Sequence, residues 1–172
     1  MMDKIQSFAP VIGSNPKVLI VGSMPSVKSL DEQEYYGNPR NHFWPIMYTI
    51  LKGNPAVTYS EKISFIKKHQ IALWDTIGRC YRKGSLDMHI EAEEPNDIPG
   101  LLKAHPTIRL VACNGTKSYQ MFEKFILPKL DQEIGVMKLP STSPIPGRYN
   151  KTFEEKIEAW RVITDYLDES ES

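Results

Sequence analysis

Flat aromatic rings and hydrogen-bonding amides are concentrated between residues 35 and 45, in the stretch YYGNPRNHFWP. Its glycine and prolines exclude one regular helix or strand over the whole stretch, so a loop is predicted there. An aromatic face can stack on a planar heterocycle, while an Asn amide offers one donor and one acceptor to a lactam edge. The loop therefore indicates a site that holds a flat, hydrogen-bonding ring.

Other signatures of catalysis are absent from the sequence or incomplete. It contains no GxGxxG, Walker, HExxH or GxSxG motif. Ser23, Asp75 and His105 could be assembled into a Ser-His-Asp set, but His105 follows a predicted helix at the opposite end of the sheet. Cys80 and Cys113 form no CxxC pair and have no pair of histidines nearby. We therefore expect no metal site, and buried apolar positions are the simpler interpretation of both thiols.

Short apolar runs rich in β-branched residues alternate with amphipathic segments along the chain. The runs predict four strands, at 17–22, 71–75, 108–114 and 134–140. The amphipathic segments predict helices that begin near Pro45 or cover 59–70, 96–106, 116–127 and 152–167. Strands that alternate with helices imply right-handed crossovers and a parallel sheet covered on both faces. We therefore predict an α/β fold, a three-layer α/β/α sandwich around a central four-stranded parallel sheet.

Polar, aromatic and proline-rich segments follow these strands. They are GSMPSVKSL with the opening loop, WDTIGRCYRKGSLD, NGTKSY and LPSTSPIPGRYN. In open α/β sheets, ligands bind beyond the carboxyl ends of the strands. We therefore expect the four segments to meet at one rim of the sheet and to build the site together.

Length and charge place only broad limits on the partner. The 172 residues are predicted to form one domain, 1–172, with a formal net charge of zero. Residues 165–172, DYLDESES, are predicted to be a frayed acidic tail. Without this tail the chain is mildly basic, which permits DNA binding. No apolar run is long enough to span a membrane and no signal peptide is recognisable, so we expect no membrane partner and a cytoplasmic location.

Four segments in a fixed order carry a resemblance to a known family. They are VGSMPSVKSL with YYGNPRNHFWPIM, ALWDTIGRCYRKGSLDMHI, VACNGTKSYQMF and LPSTSP. Together they resemble the uracil-DNA glycosylase superfamily, and specifically its hypoxanthine-DNA glycosylase branch, which is related to the mismatch-specific uracil/thymine glycosylases. The resemblance covers roughly residues 15–165. It implies a monofunctional, monomeric enzyme of base excision repair that needs no cofactor. Such an enzyme flips a deaminated base, chiefly hypoxanthine, out of DNA and hydrolyses its N-glycosidic bond.

The resemblance also implies which residues bind the flipped base and which take part in hydrolysis of the glycosidic bond. Mismatch-specific relatives carry a G-x-N-P-G block whose Asn positions the attacking water, but Met24 stands in that slot here. In the hypoxanthine branch the catalytic amide comes from the following motif, which places it at Asn41, with Asn38 as the competing candidate. Tyr36 falls where relatives place the ring that stacks on the flipped base. Met24 and Phe43 complete this wall of the base site, although Phe43 at the start of a helix is also typical of core packing.

Two further residues are implied to read the base. Asp75 occupies the slot where uracil-specific relatives carry a base-reading Asn. An ionised carboxylate could accept the N1–H of hypoxanthine and leave O6 to Asn114 or to a backbone N–H. Structural interpretations of the same residues stay open, since Asp75 and Asn114 could each cap the helix that follows and Asn38 could shape a turn.

The last segment is implied to bind the DNA backbone. Ser141, Thr142 and Ser143 would grip the phosphates that flank the flipped nucleotide, and three more residues would assist them, namely Ser26, Lys117 and Arg148. Leu139 and Ser143 replace the His and the Leu wedge of uracil-specific relatives. Two alternatives remain: a uracil or G:T/U mismatch glycosylase, and a nucleotide- or DNA-binding module without catalytic activity. If the source is prokaryotic, the expected location is the nucleoid.

Overall fold

The computed structural model describes residues 4–144 and 151–168. Arg148 therefore lies outside the described residues. The strands are β1 (Ile5–Gln6), β2 (Val18–Gly22), β3 (Ile71–Asp75), β4 (Ile77–Tyr81), β5 (Glu91–Pro95), β6 (Leu110–Asn114) and β7 (Gly135–Leu139). The α-helices are α1 (Val27–Glu32), α2 (Phe43–Ile50), α3 (Tyr59–Lys68), α4 (Ile98–Ala104), α5 (Thr116–Met121) and α6 (Phe153–Trp160).

A four-stranded parallel sheet forms the centre of the fold, with the strand order β3-β2-β6-β7. Val18 of β2 pairs with Ile71 on one side and with Leu110 on the other, and Leu110 pairs with Gly135. Every residue of β2 is buried, as expected for a strand that is covered on both faces. The predicted central sheet is confirmed.

Alternate residues of the sheet pack against two separate helical layers. Val18 and Ile20 point into a cluster built from α2, α3, α6 and the segment after α6. Leu19 and Val21 point into a second cluster, with side chains from α4 and from the turn after α5. The period of two along β2 therefore divides the core into two halves, which gives the three predicted layers.

A second sheet was not predicted. It is antiparallel, with the order β1-β4-β5. The segment at 74–87 was expected to be a rim loop, but its residues 77–81 form strand β4, which begins two residues after β3 ends. The turn between the two strands is closed by the Thr76 and Ile77 amides, which donate to the carbonyls of Gly22 and Ser23 at 2.8 and 3.1 Å. This places the start of β4 beside the carboxyl end of β2.

Several helices differ from their predicted lengths. Helix α1 was not predicted; the Ser26 hydroxyl caps it by accepting from the Ser29 amide at 3.1 Å. The helix predicted over 116–127 is α-helical only to Met121 and continues as a π-helical turn, Phe122–Ile126. The closing helix is α-helical from Phe153 to Trp160 and then becomes a 3₁₀ helix, Arg161–Tyr166. Apolar periodicity alone cannot distinguish these helix types, since all three bury a similar face.

Asp168, which lies in the predicted acidic tail, pairs with two basic side chains. Arg109 donates to Asp168 Oδ1 at 2.6 Å, and the Lys17 ammonium lies 3.5 Å from Asp168 Oδ2. The expectation of fraying from residue 165 is therefore corrected for 165–168, while 169–172 lie outside the described residues. None of the helices in the described ranges is long and apolar enough to cross a membrane.

Candidate active site

A cavity of about 380 Å³ opens at the carboxyl ends of β2, β3 and β6. All four segments that were expected to meet at this rim contribute to its walls. The lining includes Tyr36, Asn41, Asp75, Asn114 and Thr142. The topology therefore brings the base-site residues of the sequence analysis together, with Phe43 as the exception.

Tyr36 forms one wall of the cavity and is supported from behind by Phe43. The two rings are stacked, with centroids 3.9 Å apart and an angle of 23° between their planes. Phe43 is fully buried in the core and is not part of the cavity lining. Because Phe43 covers one face of the Tyr36 ring, only the other face and the edge are available to a ligand. Tyr36 has a φ of 55°, a left-handed conformation that is costly for a side chain of this size.

Asn41 and Asn38 both line the cavity, and both stabilise local turns. Asn41 Oδ1 accepts from the Phe43 amide at 2.9 Å, at the start of α2, and Asn38 Oδ1 accepts from the Arg40 amide at 2.9 Å. The turn-forming interpretation of Asn38 is thus correct. With Oδ1 held in this way, the Nδ2 group of Asn41 is the part of the amide that is left for a ligand.

Asp75 ends β3 and has a buried carboxyl group, with only 3% of the residue exposed. Burial raises the pKa of this carboxyl to about 7, and the charge of Asp87 adds to the rise while Arg82 opposes it. Its Oδ2 atom has no hydrogen-bond partner among the described residues. The sequence analysis treated the group as ionised, but near neutral pH a large fraction of it carries a proton. Asp75 leads into β4, so it caps no helix.

The wall between Tyr36 and Asp75 requires a glycine. A Cβ atom on Gly22 would lie 2.6 Å from Asp75 Oδ1 and 3.4 Å from the Tyr36 hydroxyl oxygen. The Tyr36 hydroxyl, like Asp75 Oδ2, is buried and makes no well-formed hydrogen bond among the described residues, although Asn114 lies close enough to offset part of the rise that burial causes in the pKa of this hydroxyl. Buried polar atoms without partners are uncommon in folded proteins, and two that converge on one cavity are what a polar ligand would satisfy.

Asn114 is held by two hydrogen bonds to Thr142. Its Nδ2 donates to Thr142 Oγ1 at 3.0 Å, and its Oδ1 accepts from the Thr142 amide at 3.0 Å. These bonds fix the orientation of the amide, so the second hydrogen on Nδ2 is a donor with a defined direction, near the Tyr36 hydroxyl. Thr142 is only 1% exposed, and its carbonyl accepts from the His42 amide at 2.9 Å. Thr142 therefore braces Asn114 and the opening loop. The cap of α5 is Gly115 rather than Asn114.

The alternative nucleophiles of the sequence analysis are not assembled. The Ser23 hydroxyl donates to Asp87 Oδ1 at 2.6 Å, and His105 is not part of the cavity lining. Burial raises the pKa of the Cys113 thiol to about 12, and it also raises the pKa of the Cys80 thiol. Both thiols are therefore inert, apolar groups near neutral pH.

Met24 lies between the cavity and a small core cluster. It is 7% exposed and packs with Ile77, Cys80 and Met121, while it also lines the cavity. Its thioether is a weak hydrogen-bond acceptor, so it offers no strong hydrogen bond to a water molecule.

The predicted backbone-binding residues fall into separate places. Ser141 and Ser143 line the cavity, and the Ser143 amide donates to Ser141 Oγ at 3.1 Å. Ser26 also lines the cavity while it caps α1. Lys117 is not part of the lining, and its ammonium lies 3.5 Å from a carboxylate oxygen of Glu93. These assignments stay predictions, and Arg148 lies outside the described residues.

Sequence reasoning missed two polar groups near the cavity. Arg82 is buried, donates from Nη2 to the Pro25 carbonyl at 2.6 Å and leaves Nη1 without a partner among the described residues. Lys156 is also buried, and burial lowers the pKa of its ammonium group. Its Nζ lies 3.1 Å from His42 Nδ1. Both belong to segments that look solvated, RKG and FEEK, and no local pattern marks either residue as buried.

Comparison with protein families settles which group of proteins this fold and rim represent. The family model described as the Uracil DNA glycosylase superfamily matches residues 9–164. The chain belongs to this superfamily. The resemblance stated from the four sequence segments is confirmed, and the matched range includes every residue of the cavity wall described above.

Named relatives and a solved structure are similar over most of their length. A hypoxanthine DNA glycosylase from Methanosarcina acetivorans is 37% identical over 155 residues, which is 90% of this chain and 96% of the relative. A protein of the same name from Methanosarcina barkeri is 36% identical over 116 residues, 67% of this chain and 73% of that one. A solution NMR structure from Methanosarcina acetivorans, described as a candidate uracil DNA glycosylase, has a TM-score of 0.79 and 33% identity. The structural match covers 95% of this chain and 99% of the chain in the NMR structure.

Proposed function

We propose that this superfamily member is a monofunctional DNA glycosylase that removes hypoxanthine from deoxyinosine in DNA, as the first step of base excision repair. The observation that carries the proposal is the cavity in which a tyrosine ring, two amides and a buried carboxyl group converge. The names of the relatives favour hypoxanthine over other deaminated bases. The proposed partner is DNA that contains such a base, bound by a monomer that works at the chromosome in the cytoplasm.

The polar wall of the cavity matches the lactam edge of hypoxanthine. This edge presents an N1–H donor beside the O6 acceptor. A protonated Asp75 carboxyl group offers an acceptor and a donor side by side, so it can meet both atoms at once. When Asp75 is ionised it accepts N1–H only, and the fixed Nδ2 donor of Asn114 is then the group for O6. Tyr36 stacks on the ring and holds it in the plane of these contacts.

Hydrolysis breaks the bond between C1′ of the sugar and N9 of the base. The bonding electron pair leaves with the hypoxanthine, a water oxygen forms the new bond to the oxocarbenium-like C1′, and the proton that this water loses neutralises the departing base. Asn41 is assigned to this step, since its Oδ1 atom is occupied by the Phe43 amide and its Nδ2 group can donate to the negative charge that develops on the base. Donors that meet the developing negative charge on the base lower the barrier more than they stabilise the bound substrate.

Ser141 and Ser143, with Ser26, are proposed to contact the phosphates beside the flipped nucleotide. Each lines the cavity mouth or its wall. Thr142 supports them from inside by fixing Asn114, so its role is positioning rather than direct contact. Lys117 and Arg148 are assigned to the longer-range attraction of the DNA backbone, which salt weakens.

The proposal is tested with labelled duplexes that carry a single deoxyinosine, uracil, xanthine or mismatched thymine. After incubation with the protein, hot alkali cleaves the strand wherever an abasic site has formed. We expect cleavage at deoxyinosine. Cleavage at uracil or mismatched thymine alone would instead support the uracil or mismatch alternative. Tight binding without cleavage of any duplex would support the binding module.

A further inference from the structure

One apolar side chain is exposed at the mouth of the cavity. Met88 lies in the 3₁₀ turn Asp87–His89, lines the cavity and is 80% exposed. Of the large apolar side chains in the described ranges, only Val57 is more exposed, at 93%, and Val57 is not part of this cavity. Single exposed apolar side chains are ordinary on protein surfaces, so it is the position of Met88 in the cavity lining, rather than its exposure alone, that bears on ligand binding.

The turn that carries Met88 is held by the segment that precedes it. The Ser23 hydroxyl donates to Asp87 Oδ1 at 2.6 Å, and the Val27 amide donates to Ser85 Oγ at 2.9 Å. Earlier in the same segment, Arg82 donates to the Gly84 carbonyl at 2.7 Å and to the Pro25 carbonyl at 2.6 Å. These bonds tie the turn to the end of β2 and the start of α1. Met88 is therefore an exposed side chain on a turn whose position is fixed by hydrogen bonds.

Flipping a base out of duplex DNA leaves a gap in the stack. Proteins that unstack DNA commonly fill such a gap with an apolar wedge, and Met is one of the residues used. The sequence places Ser143 where uracil-specific relatives insert a Leu, and a hydroxymethyl group is too small to replace a base. Met88 lies at the same cavity and has the length and polarisability that a wedge needs.

We propose that Met88 enters the base stack of duplex DNA and takes the place of the nucleotide that is turned into the cavity. The inference rests on the proposed glycosylase function and adds to it the residue that keeps the duplex open. Lys83 and His89 are also exposed close to Met88 in the sequence, and the Lys83 ammonium is available to a phosphate of the opened strand.

The test compares duplex with single-stranded deoxyinosine under single-turnover conditions. A wedge is needed only where a stack must be opened, so Met88→Ala should slow excision from the duplex and leave the single strand unaffected. Unstacking one step costs a free energy equivalent to one or two powers of ten in an equilibrium constant, so we expect a fall of about 10- to 100-fold. Met88→Leu should restore most of the duplex rate, because Leu is also an effective wedge. Val57→Ala, the matched control, should change neither rate.

A second readout does not depend on catalysis. A duplex with 2-aminopurine beside the deoxyinosine fluoresces more strongly when its stack is disturbed, and the wild-type protein should produce a larger increase than Met88→Ala. Unchanged duplex excision in Met88→Ala, equal losses on duplex and single strand, or no rescue by Leu would each overturn the wedge. A wild-type protein that releases no base from either substrate would instead overturn the proposed function.

Discussion

Replacing Asp75 by Asn should change the stability of the protein in a way that depends on pH. The folded protein raises the pKa of this carboxyl from 3.8 to about 7, chiefly because burial disfavours the charged form. The folded state therefore binds the proton more tightly than the unfolded state does. Stability is highest at low pH, where both states are protonated, and is lost as the pH rises through about 7.

The size of the loss follows from the two pKa values. A difference of about 3 between them corresponds to about 4 kcal/mol at high pH. At about pH 5 the Asp75 carboxyl is already ionised in the unfolded chain, and this accounts for about 1.5 kcal/mol of the lost stability. About 2.5 kcal/mol of stability then remains to be lost by about pH 8.5. An Asn at this position cannot ionise, so the variant lacks this part of the pH dependence. The buried Asn amide also lowers the stability of the variant, but this effect does not depend on pH.

Urea unfolding of both proteins at about pH 5 and about pH 8.5 measures this effect. We expect the free energy of unfolding of Asp75→Asn, relative to wild type, to be higher by about 2.5 kcal/mol at the upper pH than at the lower. Asp131→Asn is the control, since the Asp131 carboxyl is exposed. Equal differences between variant and wild type at the two pH values would refute the buried, protonated carboxyl.

Three further substitutions test the site. Asn41→Ala should lower the rate of hypoxanthine excision by about 10²–10³-fold, the usual effect of losing one donor to developing charge, as measured in single turnovers. Thr142→Val removes the hydroxyl that accepts from Asn114 Nδ2, so the amide is held less firmly and excision should slow. Chemical unfolding should show that the free energy of unfolding falls by about 1–3 kcal/mol. Gly22→Ala places a methyl group 2.6 Å from Asp75 Oδ1, so thermal unfolding should occur at lower temperature, with a destabilisation of about 1–3 kcal/mol. Unchanged values in any of these measurements contradict the corresponding contact.

The central sheet could be predicted because its strands are continuous apolar runs. VLIVG and LVAC carry enough β-branched and apolar residues to identify buried parallel strands without any structural information. The second sheet could not be predicted, because β5 reads EAEEP and its only apolar side chain is a single alanine. Its pairing with β4 has two register shifts, so neither strand shows a clean alternation.

The same contrast holds at the site. Tyr36 stands out in the sequence because several aromatic residues in one loop are unusual, and the family resemblance gives roles to Tyr36, Asn41 and Asp75. The brace between Asn114 and Thr142 joins residues 28 positions apart, and the bond between Ser23 and Asp87 joins residues 64 apart. Contacts of this kind depend on how the strands are arranged, and no local pattern encodes them.

The burial of Asp75 also changed the chemistry of the site. A carboxylate after a strand looks like an exposed acceptor or a helix cap, and only the fold reveals that it is enclosed by Tyr36 and the glycine of β2. Enclosure converts an acceptor into a group that can both donate and accept near neutral pH. This dual capacity is the basis for the proposal that the cavity binds a lactam edge.

The most direct test of the central claim is chromatographic detection of the free base after incubation with a deoxyinosine duplex. We predict that wild-type protein releases hypoxanthine and leaves an intact strand with one abasic site, while Asn41→Ala releases it far more slowly. Release of uracil but not hypoxanthine from matched duplexes, or no free base at all despite tight DNA binding, would contradict the account.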